Sequence, residues 1–279
     1  SASASASASA SASASASARP WRFEARVEVP GRQGVACLAD GYVTSGSRQL
    51  DRLSRDGAVR ASNADPFVGW LAEGNHLGDI DVVDDVVYAP AERFAELRGH
   101  AMHVARFRAD TLAFIGALPL DPASDQEEVS GVAVDAAAGW FWLSDWRRSD
   151  RLYRYNLADG KLIAVLVLDP PLKWIQGVAI DGDQLLVSAD DGDAERAEHD
   201  HVWRVKTPLA ARSEVTPELA LTQVERTGEI EGLSLCDGGS RLVVDHNRGK
   251  RILDGHSVGL YPGYEREISE VYVYRRPER

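Results

Sequence analysis

The sequence has little of what marks several common protein classes. Its 279 residues include only two cysteines and one methionine. After residue 18, no apolar run reaches the roughly 18–20 residues that a transmembrane helix needs. Positive charge is in deficit as well, because 31 Lys and Arg residues face 43 Asp and Glu residues, for a net charge of −12. We therefore expect a soluble protein that binds neither nucleic acid nor membranes. A cation is the more natural ligand for a protein of this charge.

Several catalytic motifs are absent too. The chain has no glycine-rich phosphate loop, no Cys-x-x-Cys pair and no nucleophile elbow. The segment Asp190-Asp-Gly-Asp193 resembles a calcium loop, but it lacks the twelve-residue spacing and the terminal Glu of an EF-hand. Cys37 and Cys236 are expected to be free buried thiols, with a disulfide between neighbouring ends of a ring as the alternative.

The first 18 residues alternate strictly between Ser and Ala. This segment has neither a charged first region nor an apolar centre, so it is not a secretory signal peptide. We expect a flexible low-complexity arm or an added tag over residues 1–18 and a single domain over residues 19–279. The sequence leaves the cellular location open.

A short phrase recurs five times along the rest of the chain. The copies read Gln33-Gly-Val-Ala36, His76-Leu-Gly-Asp-Ile80, Ser130-Gly-Val-Ala133, Gln176-Gly-Val-Ala179 and Glu231-Gly-Leu-Ser234. Their glycines are 44, 53, 46 and 55 residues apart. A repeat of about 40–55 residues with strand-like sequence in each unit is typical of the blades of a β-propeller.

The order of the strand-like segments predicts how such a ring closes. Each phrase opens a hairpin, and a third and a fourth strand follow it. The last unit ends after its third strand, and the missing strand appears at the other end of the chain as Trp21–Pro30. We predict an all-β fold, a β-propeller of five four-stranded blades closed by this N-terminal strand. Six blades are the alternative, and short turns are expected at 91–100 and 208–220.

The second copy of the phrase differs from the others. Side chains alternate along a strand, so small residues such as Ala36, Ala133 and Ala179 are expected to face the channel. In the second copy the same alternation sends Asp79 and Asp81 there. Two carboxylates are costly to bury without partners, and a bound cation would neutralise them.

Other polar residues are predicted to meet at one mouth of the channel, because a hairpin's first strand begins where its second strand ends. The starts of the first strands carry Gln33, His76, Glu128, Gln176 and Glu231. The ends of the second strands carry Ser47, Glu92, Asp145, Asp190 and His246. Many oxygen ligands suit Ca²⁺ or Mg²⁺, while imidazole with carboxylate also permits Zn, Mn or Fe. Trp146 and Trp174 flank this mouth and would suit a ring-shaped ligand.

These features resemble a known family. The Glu231-Gly232-Leu233 strand start, the Gly-Val-Ala-x-Asp phrases and the Asp/Gly turns are similar to those of the calcium-dependent propeller hydrolases. That group contains the senescence-marker/gluconolactonase proteins, paraoxonase-like lactonases and esterase-like phytase relatives. The resemblance spans most of residues 20–275 and implies a channel metal that activates water or polarises a carbonyl. By position Glu231 resembles the family's Glu ligand, and Gln176 would replace its Asn ligand.

The leading hypothesis is a metal-dependent hydrolase acting on an ester or lactone of a small, sugar-like molecule. Its divalent cation is predicted to be calcium, with Mg, Mn or Zn as alternatives, held by Asp79, Asp81, Gln176 and Glu231. Acid–base catalysis is assigned to His76, His246 and Glu128. Substrate binding is assigned to Gln33, Glu92, Asp145, Trp146, Trp174 and Asp190. The alternatives are a non-catalytic propeller that binds a glycan or a protein around a structural ion, and a lyase or isomerase using the same histidines and carboxylates.

Overall fold

A computed structural model describes residues 20–224 and 226–277. The predicted Ser-Ala arm at residues 1–18 lies outside the described residues. Within them the regular structure is β-strand, apart from one short 3₁₀ turn at Asp237–Gly239. The prediction of an all-β fold is therefore confirmed. No helix among these residues is long and apolar enough to cross a membrane.

The described residues form 23 strands. In chain order they are β1 Arg22–Glu28, β2 Gly34–Leu38, β3 Gly41–Gly46, β4 Gln49–Ser54, β5 Val59–Asn63, β6 His76–Leu77, β7 Asp81–Val83, β8 Val86–Ala95, β9 Arg98–Arg108, β10 Phe114–Pro119, β11 Gly131–Asp135, β12 Trp140–Ser144, β13 Arg151–Asn156, β14 Leu162–Asp169, β15 Ile175–Asp181, β16 Gln184–Ala189, β17 His201–Val205, β18 Arg212–Ala220, β19 Glu229–Cys236, β20 Arg241–Arg248, β21 Lys250–Leu253, β22 His256–Leu260 and β23 Ile268–Arg275. The regions 91–100 and 208–220, where the sequence suggested short turns, are mostly strand, with turns at residues 96–97 and 208–209.

Most neighbouring strands pair as antiparallel hairpins, as alternating apolar residues and Asp/Gly turns predict. The first unit is the four-stranded sheet β2–β5, and the second is a five-stranded sheet in which β6 and β7 both pair with β8. The third unit, β11–β14, and the fourth, β15–β18, share one eight-stranded sheet through a parallel contact between β14 and β18. The number of blades stays a prediction, since these two units are continuous.

The two ends of the chain meet in the fifth unit. Strand β1 pairs with β23 in the sheet β1-β23-β20-β19, with Val27 opposite Val271. This is the predicted pairing, and it covers an edge that the last sheet would otherwise expose.

A disulfide joins the fifth unit to the first. Cys37 of β2 and Cys236 of β19 are bonded, with their Cα atoms 5.5 Å apart. The expectation of free thiols was wrong, because the first and last units lie side by side and bring both side chains within bonding range.

Among the described residues the hydrophobic core is divided into five clusters, each lying between two neighbouring units. One cluster joins the last unit to the first through Val35 and Val243, whereas the adjacent residue Ala36 belongs to the cluster between the first and second units. Alternate side chains of an inner strand therefore pack against opposite neighbours. The expectation that Ala36, Ala133 and Ala179 face a channel was wrong, because these residues are buried in such clusters.

Replacing both cysteines in a Cys37→Ser/Cys236→Ser variant should lower the free energy of unfolding by about 2–5 kcal/mol. The bond closes a loop with a sequence separation of 199 residues, and losing it frees the unfolded chain. Urea denaturation without reductant measures the effect, and wild-type protein in reductant should match the variant. Equal stability of the oxidised wild type and the variant would contradict this account.

Candidate functional site

The five phrase glycines crowd together where the inner strands meet. A Cβ atom added at Gly131 would lie 2.8 Å from the Cα atom of Gly177, and one at Gly232 would lie 2.7 Å from the Cα atom of Gly34. A Cβ on Gly78 would overlap the backbone of Ser130. The glycine recurs because backbones approach here more closely than any side chain permits.

Asp79 lies at the centre of this arrangement and is fully buried. Its Oδ1 accepts hydrogen bonds from the amides of Val35 (3.1 Å) and Ile80 (2.9 Å), and its Oδ2 accepts one from the amide of Leu233 (3.1 Å). Burial raises the pKa of Asp79 well above its usual range, although these three amides act in the opposite direction. The side chain therefore links the second unit to the first and the fifth.

The same residue also contacts the other two units. The Asp79 amide donates to Ser130 O (2.7 Å), and the Asp79 carbonyl accepts from the amide of Val132 (3.2 Å) in the third unit. In the fourth unit, a Cβ on Gly177 would lie 2.5 Å from Asp79 Oδ2. All five units thus meet at one buried residue, Asp79.

The other predicted metal ligands are dispersed among different contacts. Asp81 accepts hydrogen bonds from the amides of Val82 and Val134, both at 2.8 Å, which tie the second unit to the third. Glu231 accepts one from Asn247 Nδ2 at 2.9 Å, while Gln176 is half-buried on β15. The structure brings a different set of donors together.

His76, Glu92 and Glu128 form that set. Each offers one ligand atom, and these atoms lie within 4.8 Å of one another. His76 Nδ1 lies 2.9 Å from Glu92 Oε1, and His76 Nε2 lies 2.9 Å from Gln33 Oε1. The side chain of His76 is 19% exposed and that of Glu92 is 0% exposed, so the group opens to solvent on the histidine side.

Negative charge is concentrated behind His76. Burial raises the pKa of Glu92, against the hydrogen bond with His76. Burial also raises the pKa of Glu128 well above its usual range, and the charges of Glu92 and Asp145 add to the rise. Burial raises the pKa of Asp145 to about 6, although it accepts hydrogen bonds from backbone amides that include Arg147 and Arg148. Burial thus raises the pKa of all three carboxyl groups, and at Glu128 the neighbouring carboxylates add to its effect.

An aromatic wall continues from this group. Glu128 Oε2 accepts a hydrogen bond from the amide of Trp146 at 2.7 Å. The Trp146 ring lies 4.6 Å from that of Trp174, and both rings contact the edge or face of His256. Trp174 also lines a cavity with Asp190. The predicted mouth residues are therefore joined by a chain of contacts that runs from Glu92 and Glu128 through Trp146 and Trp174 to Asp190.

His246 lies in a different place. It is fully buried, its ring packs edge-on against Tyr272, and its Nε2 lies 3.7 Å from Asp200 Oδ2. Neither ring nitrogen has a hydrogen-bond partner among the described residues. The structure thus pairs His246 with Asp200 between the fourth and fifth units, whereas His76 lies between the first and second.

Sequence reasoning missed a charged cluster at the fifth unit. Glu229 forms ion pairs with Lys250 and with Arg32 Nη2 (3.4 Å), and Arg32 Nε also lies 2.6 Å from Glu267 Oε1. Burial would raise the pKa of Glu229, but the two cations outweigh it and lower the pKa. Glu231, two residues later, has its pKa raised well above the usual range by burial and by Glu229. The two glutamates of the segment Glu229-Ile-Glu231 are evident in the sequence. The pairing of Glu229 with Arg32 and Lys250, which lie elsewhere in the chain, is not.

Comparisons with known proteins identify the fold. No family model and no curated protein matches the chain. Glutaminyl cyclase from Myxococcus xanthus matches with a TM-score of 0.59 and 12% identity, over 92% of this chain and 99% of that one. A gluconolactonase from Xanthomonas campestris matches with a TM-score of 0.46 and 15% identity, over 84% of this chain and 67% of that one. The protein is a β-propeller. Likeness at such identities shows the fold alone, so the more specific resemblance to calcium-dependent hydrolases stays a prediction.

An Asp79→Ala variant should lose about 3 kcal/mol or more of unfolding free energy, because three buried amides lose their acceptor. Asp79→Asn keeps one acceptor oxygen and should lose less. Urea denaturation measures both, with Asp183→Ala, at an exposed turn, as the control. If Asp79→Ala were as stable as this control, the central role of Asp79 would be refuted.

Proposed function

We propose that the protein is a metal-dependent hydrolase whose active centre is the His76–Glu92–Glu128 group at the mouth of the propeller. One observation carries the proposal, namely that an imidazole and two buried carboxyl groups present ligand atoms within 4.8 Å of one another. Ligands of one divalent ion lie about 2.0–2.2 Å from it and hence at most about 4.4 Å from each other, so these atoms need to approach by only a few tenths of an ångström to share an ion. The proposal moves the metal away from Asp79 and Asp81, whose oxygens accept backbone amides.

The donor set favours a particular kind of metal. Calcium takes oxygen ligands, whereas imidazole combined with carboxylates suits Zn, Mn or Fe. The proposal therefore replaces calcium, favoured by the sequence, with one of these metals. A divalent cation would also offset the burial of Glu128 and its repulsion by Glu92 and Asp145, which together raise the pKa of Glu128.

The surrounding residues have distinct tasks in this proposal. When bound, the cation polarises a carbonyl oxygen and lowers the pKa of a water molecule. Gln33 holds the His76 ring in place from the side opposite Glu92. Because Glu92 and Glu128 are buried and His76 is partly exposed, substrate must approach past the histidine. The amide of Trp146 donates to Glu128, so in this proposal the aromatic wall would lie beside the bound substrate.

Two considerations support esters or lactones as substrates. The sequence resembles that of propeller hydrolases acting on such compounds. The Trp146–Trp174 wall suits a ring, because flat aromatic faces pack against the apolar faces of cyclic ligands.

A second candidate is acid–base chemistry without a metal, of the lyase or isomerase class. It is favoured by the contacts of His76, whose two ring nitrogens each lie 2.9 Å from an oxygen. A histidine fixed in this way between Glu92 and Gln33 can accept and return a proton without a cation. Metal content separates the two candidates.

Purified protein loaded with Zn, Mn or Fe and then dialysed should retain about one equivalent of metal. Metal analysis should show this metal lost from His76→Ala and Glu92→Gln, since each removes one of three donors. The control is His103→Ala, which removes a histidine that bonds to the carbonyl of Ala101 on the same sheet. If wild-type protein retains no metal, the hydrolase proposal fails.

The same variants should reduce kcat/KM on a panel of lactones and esters by about 100-fold or more. Removing the metal with a chelator should have the same effect, and adding it back should restore activity. His103→Ala should keep wild-type activity. Full activity in metal-free protein would favour the acid–base candidate instead.

A further inference from the structure

The fifth unit carries a short hairpin that is separate from its main sheet. Strands β21 and β22 follow β20 in the chain, and among the described residues they pair with each other and with no other strand. All five residues of β22 are exposed. A two-stranded hairpin is at best marginally stable in isolation, so its position depends on the residues that it contacts.

The base of this hairpin is anchored by buried groups. Lys250 forms ion pairs with Glu229 and with Glu267, the latter at 3.5 Å, and its side chain is 10% exposed. Ile252 is fully buried, and its carbonyl accepts a hydrogen bond of 3.2 Å from the amide of Ala194 in the fourth unit. Strand β21 is therefore held in place as far as Ile252.

The tip of the hairpin, Asp254-Gly255-His256, lies on the aromatic wall of Trp146 and Trp174. A Cβ atom added at Gly255 would lie 2.3 Å from Cδ2 of Trp174, so the backbone of the tip packs directly against the indole ring. The centre of the His256 ring lies 5.3 Å from that of Trp146 and 5.4 Å from that of Trp174. The tip therefore covers a surface that a cyclic ligand would need.

The tip is held less firmly than the base. Its ion pair joins Asp254 Oδ1 to Lys173 Nζ at 3.5 Å, and these side chains are 75% and 72% exposed. Exposed ion pairs of this kind contribute little to stability. His256 is exposed like the rest of β22. The tip can thus leave the wall while the buried contacts of Lys250 and Ile252 stay in place.

We infer that this hairpin is a strap that covers the Trp146–Trp174 wall, with the His256 ring in the place of a ligand ring, and that a cyclic ligand binds after the tip lifts. The inference rests on the proposed function in one respect, because it takes this wall as the place where a ring-shaped substrate lies. Only molecules with a lifted tip can bind the ligand, so the strap lowers the apparent affinity by the fraction that is lifted.

Replacing Gly255 tests whether the tip covers the wall. Gly255→Ala places a methyl group 2.3 Å from Trp174 Cδ2, which should push the tip off the indole ring. Gly259→Ala is the matched control, because Gly259 lies on the same hairpin and also has a positive φ angle, but a Cβ there has no atom within 4 Å. Quenching of tryptophan fluorescence by acrylamide should be stronger in Gly255→Ala than in wild type, and Gly259→Ala should match wild type. In a Trp146→Phe/Trp174→Phe background this difference should disappear.

Binding of cyclohexanone tests the role of the strap, because this cyclic ketone resembles a lactone but cannot be hydrolysed. In calorimetric titrations His256→Ala and Gly255→Ala should bind it about tenfold more tightly than wild type, since the ligand no longer has to displace the tip. Gly259→Ala should bind it with wild-type affinity.

Two results would overturn the inference. One is equal quenching in Gly255→Ala and Gly259→Ala, a comparison that needs neither ligand nor activity and is therefore independent of the hydrolase proposal. The other is cyclohexanone binding by His256→Ala that is absent or no tighter than that of wild type, which would mean that His256 does not occupy the place of a ligand. Melting temperatures of the variants, expected to stay close to wild type, verify that folded proteins are compared.

Discussion

The structure depends on the hydrogen bonds that converge on Asp79. Its carboxyl group accepts amides from the first, second and fifth units, and its backbone bonds to the third. The glycines at 34, 177 and 232 leave the space that this side chain fills. A ring of sheets has to close at its axis without leaving buried amides unpaired. One carboxyl group meets that requirement here, and the phrase glycines recur because they make room for it.

The buried axis of the propeller and the proposed reaction site at its mouth are therefore built from different residues. The oxygens of Asp79 and Asp81 are engaged by backbone amides, so the buried axis is held together by neutral donors. The outer mouth differs, because neither oxygen of Asp190 has a hydrogen-bond partner among the described residues, and because Glu128 lies near the carboxyl groups of Glu92 and Asp145. Their pKa values are all raised by burial. Buried carboxyl groups with raised pKa values are typical of sites that bind a cation or take up a proton.

Much of this could be predicted from the sequence. The repeat and the spare strand at Trp21–Pro30 predicted the propeller and its closure, because period and strand pairing are properties of the chain itself. The meeting of His76 with Glu92 followed from hairpin geometry. The departure at Asp79 was found, but alternation alone could not show that amides from distant units converge on its side chain. The partnership of His246 with Asp200 was also hidden, because Asp200 comes just before β17 in the fourth unit and no pattern in the sequence links it to β20.

The most direct test is a crystal structure of the protein soaked with Mn²⁺ or Zn²⁺, with data collected at the absorption edge of the metal. The account predicts an anomalous peak among His76, Glu92 and Glu128, with Asp79 still bonded to the amides of Val35 and Leu233. A peak at Asp79, with those amide bonds broken, would contradict it, since the axis would then be the metal site and the mouth would not.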